Sequence, residues 1–328
     1  MEIDFTREIA LKGILHAHST NSDGILTPEQ VLSFYKRTGY GFVSITDHNK
    51  LTRVSTDDLV VIPGVEINLG RTALGYDYHV VIIGLEEMPS ENVRRSVQEL
   101  IDWAKSQDLF VFIAHPYWSM LSMEDLLRLE RYDAIEVFNT GCEVEISRGY
   151  SGVYWDYLLH AGRSVFGVAV DDTHHYSFDA LGGWVVASMS EPSALEVLKS
   201  LKGGNFYSSS GPEIKRYRVE RTLVEVESTK FTALRIFSGK MRGIYFNTDF
   251  LKVVREKKLE FVKEFVESGE DGVYSAHARL EGGITLDLSL GENFTKFKIE
   301  GNLPLEKYVR IEVIDEKGRA AWLNPVRI

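Results

Sequence analysis

Six of the nine histidines in this chain stand near carboxylates at the ends of short apolar runs. The pattern comprises His16-x-His18, Asp47-His48, Glu66, His79, His115-Pro116 and Asp172-x-His174. A core strand does not normally finish on ionisable side chains, because a buried charge without compensation is costly. Their recurrence at six strand-like runs predicts a multinuclear metal site assembled from many strands.

The ligand types narrow the choice of metal. Imidazole together with carboxylate suits zinc, manganese or iron, whereas calcium and magnesium draw mostly on oxygen ligands. The single cysteine, Cys142, excludes an internal disulfide and a cysteine-based zinc knuckle. The expected cofactors are therefore two to three divalent transition metal ions, zinc, manganese or iron, held by His, Asp and Glu.

Composition bounds the class of protein. A chain of 328 residues with 44% hydrophobic content can bury one large core or two domains. The formal charge of −11 argues against broad nucleic-acid binding, which needs a basic surface, but leaves a small phosphorylated substrate open. No apolar run approaches the roughly 20 residues that span a bilayer, and the first residues lack a basic region followed by an apolar one. We expect a cytoplasmic protein with a small-molecule partner and no membrane association, and leave homo-oligomerisation open.

From residue 9 to about residue 210, strand-like apolar runs alternate with helical stretches. Such alternation is typical of strand–helix units around a mostly parallel sheet. Thr27 and Pro28 predict a helix start and Gly39 its end, and further helices are predicted over 90–106, 122–130, 152–162 and 192–202. Parallel strands place their C-terminal ends on one rim, and ligands from six strands meet there only if the sheet is closed or strongly curved. This favours an α/β barrel over an open doubly wound sheet.

After Ser208-Ser209-Ser210-Gly211-Pro212 the pattern changes to alternating strands without strong intervening helices. Such a pattern indicates a small all-β, sandwich-like domain. We therefore predict a metallohydrolase barrel over residues 1–212 and a β-rich C-terminal domain over residues 213–328. Residues 250–267 fit both a helix and a strand.

The spacing of the candidate ligands suggests how they meet. Residues two apart on a strand point to the same side, so His16 and His18 can share one metal. The turn at residues 22–24 can return Asp23 to a neighbouring metal. Glu66 ends a buried run and would lack a partner unless it bridges two cations. His115 precedes a proline, which favours an extended backbone and presents the ring at a strand end.

Other candidates leave alternatives open. Asp47 is either a group that orients its neighbour His48 or a helix N-cap. His79 follows a Tyr-Asp-Tyr segment and is either a metal ligand or part of a polar hairpin. Asp171 and His175 compete with the adjacent Asp172-x-His174 for the ligand positions.

These residues resemble the PHP (polymerase and histidinol phosphatase) superfamily of metal-dependent phosphoesterases over about two thirds of the chain. The most specific segments are Leu15-His16-Ala17-His18-Ser19 with Ser22-Asp23-Gly24, Ser44-Ile45-Thr46-Asp47-His48-Asn49, Pro63-Gly64-Val65-Glu66, Ala114-His115-Pro116 and Asp172-Thr173-His174. The resemblance implies a distorted barrel of seven strand–helix units with up to three metal ions. It assigns the first metal to His16, His18, Glu66 and Asp172, the second to Glu66, His79 and His115, and the third to Asp23, His48 and His174.

The later part of the chain resembles a two-domain branch of this superfamily that includes carbaryl-hydrolase-like metallohydrolases. The segments concerned are residues 207–214, 310–313 and 321–325. Proteins similar to this branch cleave carbamate or amide bonds, so the resemblance leaves the substrate class open.

Three functions compete. A phosphoesterase acting on a small phosphomonoester or nucleotide fits the superfamily and is the leading expectation. An amide or carbamate hydrolase needs the same activated water but favours an apolar pocket without an arginine clamp. A noncatalytic metal-binding module predicts missing ligands, whereas every expected position is filled here.

The chemistry expected of the leading function follows from the residue types. No serine or cysteine stands in a nucleophile elbow, so the metals are expected to supply a water of lowered pKa that attacks phosphorus in line. The residues expected to be catalytic are Asp47, His48, Glu66 and Asp172, with Asp47 a candidate general acid.

Other polar and aromatic residues have weaker assignments. Lys50, Arg71 and Arg163 could contact a phosphate, but a role as solvated surface charges is at least as well supported. Tyr117 and Trp118 could stack on an aromatic substrate, although packing against the rim of the barrel is the simpler role.

Overall fold

The computed structural model describes residues 1–256 and 259–328, which divide into two compact units. The larger unit comprises Ile9–Ser210, and the other comprises Met1–Glu8 with Gly211–Ile328. The assignment of residues 1–8 to the metal-binding domain is therefore wrong. These residues contain strand β1 (Glu2–Asp4), which pairs antiparallel with residues 216–218.

The larger unit contains ten strands and six helices. Its strands are β2 (Ile9–Ile14), β3 (Phe42–Val43), β4 (Val60–Val61), β5 (Gly64–Leu69), β6 (Tyr78–Ile83), β7 (Phe110–Ile113), β8 (Ala134–Asn139), β9 (Phe166–Val170), β10 (Trp184–Met189) and β11 (Phe206–Ser209). Its helices are α1 (Pro28–Arg37), α2 (Val97–Ser106), α3 (Met123–Leu127), α4 (Thr140–Ile146), α5 (Gly152–His160) and α6 (Ala194–Gly203).

These strands form two mixed sheet regions, in the orders β11-β10-β2-β3-β4 and β5-β6-β7-β8-β9. Strands β2, β3 and β4 are parallel, as are β7, β8 and β9, whereas β5, β6 and β7 alternate in direction. The connection between β5 and β6, residues 70–77, is too short for a crossover helix, which explains why the sheet is not mostly parallel. Single bridges join Ala17 to Thr173 and His48 to Glu66, but the sheets do not close. The mixed α/β class is confirmed, and the seven-unit barrel stays a prediction.

The core of this unit is built from both sheet regions and from the apolar faces of its helices. Fully buried Phe42, Phe112, Val168 and Phe206 belong to β3, β7, β9 and β11, and Tyr35 of α1 packs in the same cluster. The contacts between these side chains hold the strand ends in a fixed relation to one another. That relation determines where polar groups at the strand ends meet.

The helix starts follow local capping. Helix α1 begins at the predicted position, because Thr27 and Gln30 form a reciprocal capping box. The predicted start of the next helix at Ser90 is wrong, since Ser96 caps α2 by accepting a hydrogen bond from the Glu99 backbone. Helix α4 was not predicted. Among the helices of the described ranges, none has the length and apolar content needed to cross a bilayer.

The smaller unit contains β1 and the elements after residue 210. Its further strands are β12 (Ile214–Glu220), β13 (Leu223–Ser228), β14 (Ala233–Ser238), β15 (Arg242–Asn247), β16 (Val262–Glu270), β17 (Val273–Leu280), β18 (Thr285–Leu290), β19 (Thr295–Glu300), β20 (Tyr308–Ile314) and β21 (Ala320–Arg327), with helix α7 (Asp249–Glu256) and a 3-10 turn (Glu281–Gly283). The strands pair antiparallel in the orders β1-β12-β13-β19-β18-β17-β16 and β15-β14-β20-β21.

The two sheet regions of this unit meet through aromatic side chains, since the rings of Phe246 and Phe297 lie 5.0 Å apart between β15 and β19. This arrangement is sandwich-like. The ambiguous stretch 250–267 is helical up to Glu256 and extended from Val262, and its residues 257–258 lie outside the described residues.

Trp155 tests the packing of the larger unit. Its side chain is fully buried on α5 and its indole N–H donates to the Val165 carbonyl at 2.8 Å. We expect Trp155→Ala to lower the free energy of unfolding of this unit by about 3–5 kcal/mol, because it leaves a cavity and an unmatched carbonyl. Tyr157→Ala on the same helix, where the side chain is 58% exposed, is the control and should change it by less than about 0.5 kcal/mol. Equal effects in urea denaturation would contradict this packing.

Candidate metal centre

The candidate ligands meet because several strands end on one side of the larger unit. His16 and His18 follow β2, His48 follows β3, and His115 follows β7. Asp172 and His174 likewise follow β9. The backbone continues to pair beyond the strands, since the His18 N–H donates to the Thr173 carbonyl and the Asp172 N–H donates to the His16 carbonyl.

His79 reaches the same place from the opposite chain direction. Strand β6 runs antiparallel to β5 and β7, so its first residues lie beside their last ones, and His79 is paired with Asn68. This explains why His79 precedes its apolar run, whereas the other histidines follow theirs. His79, on strand β6, therefore lies beside the candidate ligands that the other strands contribute.

The first group of side chains consists of His16, His18, Glu66 and Asp172, all of them buried. The Nε2 atoms of His16 and His18 lie 3.2 Å apart. Glu66 Oε2 lies 3.1 Å and 3.3 Å from these two nitrogens, and Asp172 Oδ1 lies 3.2 Å and 3.0 Å from them. Two nitrogens and two carboxylate oxygens thus converge on one small volume.

Glu66 joins this group to a second one. While its Oε2 faces His16 and His18, its Oε1 lies 2.6 Å from His79 Nδ1 and 3.4 Å from His115 Nε2. The carboxylate is fully buried, and its two oxygens face different sets of imidazoles. Glu66 therefore has the geometry of a bridging ligand.

The third group contains Asp23, His48 and His174, and Nδ1 of His18 borders it at 3.7 Å from Asp23 Oδ1. Asp23 Oδ2 lies 3.6 Å from His48 Nε2, and Asp23 Oδ1 lies 3.4 Å from His174 Nε2. The turn that carries Asp23 requires Gly24, because a Cβ there would lie 2.4 Å from the His18 carbonyl oxygen. This group is the most exposed of the three, since Asp23 is exposed and both imidazoles are half-buried.

In five of these histidines Nδ1 has a hydrogen-bond partner of its own while Nε2 faces the carboxylates. The Nδ1 partners are Glu136 for His16, Ser22 for His18, Asn68 for His48, Ser119 for His115 and the Asp172 carbonyl for His174. A metal-bound imidazole commonly uses its second nitrogen in this way, which fixes the tautomer and the ring orientation. Two of the six depart from this pattern. Nδ1 of His48 also lies 3.1 Å from Glu66 Oε2, and His79 has its Nδ1 facing Glu66 and its Nε2 facing Asn68.

Asp47 does not join the groups that converge on Glu66 and Asp23. Its buried carboxylate accepts hydrogen bonds from the Ser19 backbone and from the hydroxyl groups of Ser19, Ser22 and Thr52. Through Ser22 it is linked to His18 Nδ1 rather than to its sequence neighbour His48. Both oxygens are occupied by donors, so the assignment of Asp47 as a catalytic residue or general acid is corrected to a positioning role.

Glu136 on β8 is a site residue that the sequence analysis missed. Its side chain is fully buried and accepts hydrogen bonds from His16 Nδ1 at 2.6 Å, the His115 N–H at 2.7 Å and Asn139 Nδ2 at 2.8 Å. Asn139 also donates to Asp172 at 3.0 Å. The Glu136 carboxylate thereby fixes the ring of His16, which follows β2, and the backbone of His115, which follows β7. A glutamate inside the apolar run Ala134–Asn139 was the available sequence signal.

Two candidate ligands have an unusual backbone conformation. His115 has a φ of 28° and Asp172 a φ of 53°, in the left-handed region that non-glycine residues rarely adopt. The extended conformation predicted for His115 from the following proline is therefore wrong. The hydrogen bond from the His115 N–H to Glu136 supplies the compensating contact.

Asp171 and Asp179 hold the loop after β9. Asp171 turns away from the ligand groups and accepts hydrogen bonds from the Tyr35 hydroxyl and from the backbone of residues 181–183. Asp179 accepts from the Thr173 hydroxyl and from the backbone N–H groups of His174 and His175. Asp172 and His174 thus belong to the groups of candidate ligands, whereas Asp171 faces away from them and the exposed His175 lines the pocket.

The electrostatics are those of tightly paired imidazoles and carboxylates. Burial alone lowers the pKa of His18, but its hydrogen bonds to Asp172 and Glu66 raise that pKa to about 9. Burial also opposes protonation of His16, yet Asp172 and two further carboxylates raise its pKa well above the ordinary value. Conversely, burial raises the pKa of Glu66 but the adjacent His16 helps to bring it well below its usual range. Without a cation, the neighbouring carboxylates therefore favour the protonated forms of His16 and His18 at neutral pH.

The residues present fit divalent transition metals. Each group combines imidazole nitrogen with carboxylate oxygen, the donor set of zinc, manganese and iron sites. Nitrogen atoms 3.2 Å apart between two carboxylates are better compensated by a shared cation than by protons, because a cation contacts all four donors at once.

A pocket of about 380 Å³ opens onto these groups, a size typical of small-molecule sites. Beside the ligands it is lined by Trp118, Gly141, Cys142, Glu145, His175, Phe178 and Asp179. Neither lysine nor arginine is among its described lining residues. The three cations considered as phosphate contacts interact elsewhere, Lys50 with Asn21, Arg71 with Asp77 and Arg163 with Glu130.

Comparison with solved structures supports the fold. A two-domain protein of Bacteroides vulgatus, described as containing a predicted PHP-like metal-dependent phosphoesterase, matches 98% of this chain and 95% of its own at 16% identity and a TM-score of 0.50. An amidohydrolase of Chromobacterium violaceum matches 51% of this chain and 89% of its own at 15% identity and a TM-score of 0.39. The resemblance to PHP proteins is confirmed for the two-domain fold, and the carbaryl-hydrolase-like branch stays a prediction.

Comparison by sequence is less specific. Uncharacterized protein MJ1587 of Methanocaldococcus jannaschii is 28% identical over 142 residues, which cover 39% of this chain and 82% of that protein. No protein-family model matches the chain.

Glu136 provides a test of the support beneath the ligands. We expect Glu136→Gln to weaken metal binding about 10- to 100-fold, because the His16 ring loses a charged acceptor that makes its Nε2 more basic. The measurement is a competitive titration against a chromophoric chelator. Glu191→Gln, which removes an equal charge from an exposed position, should bind metal as the unaltered protein does. Equal affinities of both variants would show that Glu136 only supports the fold.

The raised histidine pKa values predict that metal binding releases protons. The folded-state pKa of His18 lies above the ordinary value, so the stabilisation from its proton is present below pH of about 6.5 and is lost as the pH rises through about 9. At pH 7.5 an incoming cation must displace such protons, and its affinity should fall about tenfold per pH unit for each proton released. Calorimetric titration with manganese in two buffers of different ionisation enthalpy measures the number. An observed enthalpy independent of buffer would contradict the prediction.

Proposed function

We propose that this protein is a metal-dependent hydrolase with two to three divalent cations, and that it cleaves small phosphomonoesters or nucleotides. The observation that carries the proposal is the bridging geometry of Glu66, whose two oxygens face separate sets of imidazoles. The likeness of the fold to a two-domain protein described as PHP-like is consistent with it.

Three ligand sets are proposed. The first metal is held by His16, His18, Glu66 and Asp172, the second by Glu66, His79 and His115, and the third by Asp23, His48 and His174. His18 is assigned to the first metal only, because its Nδ1 lies 3.3 Å from Ser22, whose hydroxyl donates to Asp47. The exposure of Asp23 predicts that the third metal is the most easily lost.

When bound, divalent cations at such a site supply a water of lowered pKa and neutralise charge on the oxygens of the reacting group. The chain contributes the positioning. Glu66 fixes the distance between the two sets of imidazoles, and Glu136 holds His16 and the backbone of His115 in place. Asp172 is held by Asn139 and by its own backbone contact with residue 16. The catalytic residues proposed are therefore His48, Glu66 and Asp172.

A phosphomonoester is the proposed substrate because its reacting group carries the larger negative charge. Two or more cations neutralise a phosphoryl dianion without help from lysine or arginine, which the described pocket lining lacks. The overall negative charge of the chain is offset locally by the bound cations.

The second candidate is an amide or carbamate hydrolase. The pocket favours it in one respect, since Trp118 and Phe178 supply apolar surface and no guanidinium lies among its described lining residues. A neutral carbonyl needs only one polarising cation and no anion clamp. The two candidates share the ligand set and differ in the bond that is cleaved.

The experiment combines metal content with a substrate panel. Protein reconstituted with manganese or zinc should contain two to three metals per chain by elemental analysis and hydrolyse phosphomonoesters, and chelation should abolish hydrolysis. We expect Asp172→Asn to lower kcat/KM at least about 100-fold, because metal binding supplies several kcal/mol of transition-state stabilisation. His115→Ala should reduce the metal content, and His160→Ala, on the exposed side of α5, is the control.

Each outcome is informative. Hydrolysis of amides or carbamates but not phosphoesters by the metal-loaded protein would establish the second candidate. Failure to retain metal after reconstitution would overturn the site. Equal activity of the Asp172 and His160 variants would place the chemistry elsewhere.

A further inference from the structure

Part of the pocket lining does not belong to the three groups of candidate metal ligands. Apart from the ligands, it is lined by Trp118, Glu145 and Phe178 together with small or already engaged groups. Asp179 is engaged, because its carboxylate accepts three hydrogen bonds from residues 173–175. Within the described lining, Glu145 is therefore the carboxylate left to contact a ligand.

Trp118 and Glu145 act as one unit. The indole Nε1–H of Trp118 donates to Glu145 Oε2 at 2.9 Å, which holds the carboxylate at the edge of the indole. Glu145 is exposed and Trp118 is half-buried, so both remain accessible from the pocket. The other carboxylate oxygen of Glu145, Oε1, has no hydrogen-bond partner among the described residues.

The pair lies beside the metal groups. The Trp118 ring centroid is 5.0 Å from that of His115 and 6.1 Å from that of His79. A ligand that contacts the Trp118 indole therefore needs only a short linker to place a second group beside His79 and His115. Phe178, which is 61% exposed and stacks on His175, adds apolar surface at the same pocket.

We propose that Trp118 and Glu145 form a subsite for an organic ammonium group, so that the substrate is an ester, or an amide, of an amine-bearing compound. This rests on the proposed function only for the position of the reacting group at the metals. An aromatic face next to a carboxylate is the combination that binds primary and quaternary ammonium groups, through cation–π attraction and ion pairing. Neither lysine nor arginine is among the described lining residues, so no ammonium or guanidinium side chain of the pocket competes for the Glu145 carboxylate.

The test compares ligands of equal shape and different charge. Choline and its neutral isostere 3,3-dimethyl-1-butanol are titrated by NMR into the metal-loaded protein, so that no turnover is needed. We expect choline to bind about tenfold more tightly than the isostere. Glu145→Gln and Trp118→Leu should each remove most of that difference, whereas Trp118→Phe should retain part of it.

Glu143→Gln, which removes the same charge from the same helix but does not line the pocket, is the matched control and should keep the preference for choline. Metal content and circular dichroism check that each variant is folded and loaded. A turnover arm compares the KM of choline phosphate with that of 3,3-dimethylbutyl phosphate.

The outcomes separate this inference from the proposed function. Equal affinity for choline and the isostere, absence of choline binding, or an unchanged preference in Glu145→Gln overturns the ammonium subsite even if phosphoesters are hydrolysed. A choline preference that depends on Glu145 supports the subsite even if no phosphoester is cleaved, and the bond broken must then be sought among amides and carbamates.

Discussion

The buried carboxylate of Glu66 is the constraint on which the larger unit depends. A charge without solvent contact is costly unless opposite charges or hydrogen-bond donors surround it. The compensating imidazoles are contributed by residues after β2, β3 and β7 and at the start of β6. The fold must therefore bring these strand ends together, and the single backbone bridge between His48 and Glu66 is one of the contacts that does so.

A second layer of buried polar groups makes this arrangement possible. Residues His115 and Asp172 have left-handed backbone conformations, each of which costs about 1–3 kcal/mol unless the surroundings enforce it. Glu136 binds the N–H of the first, and the His16 carbonyl binds the N–H of the second. Asp171 and Asp179 hold the following loop in the same way, by accepting several backbone donors. Buried carboxylates thus hold the imidazoles and the backbone of the site in place, and hydroxyl and amide side chains such as Ser119 and Asn139 provide further hydrogen bonds.

Sequence reasoning named the candidate ligands that the structure brings together, because their chemistry is visible in their residue types and spacing. It did not anticipate contacts that depend on the direction in which a side chain points or a strand runs in the folded protein. Asp47 and His48 are adjacent, but neighbouring residues in an extended segment point to opposite sides, so the carboxylate serves Ser22 and Thr52 instead. The reversed direction of β6 was encoded only in the order of His79 and its apolar run. The second layer was less visible, although Asn68 lies two residues after Glu66 on the same strand and Glu136 interrupts an apolar one.

The pairing of β1 with β12 has a consequence for how the chain is assembled. Because Met1–Glu8 belongs to the same unit as Gly211–Ile328, the larger unit is an insertion between the first strand of the β-rich unit and the remainder of that unit. During synthesis β1 is made before residues 9–210, and residues 216–218, with which it pairs, are made only after them. The inserted unit can therefore complete its own core before the remaining strands of the β-rich unit have been made. We expect the inserted unit to fold first, although the β-rich unit begins earlier in the sequence.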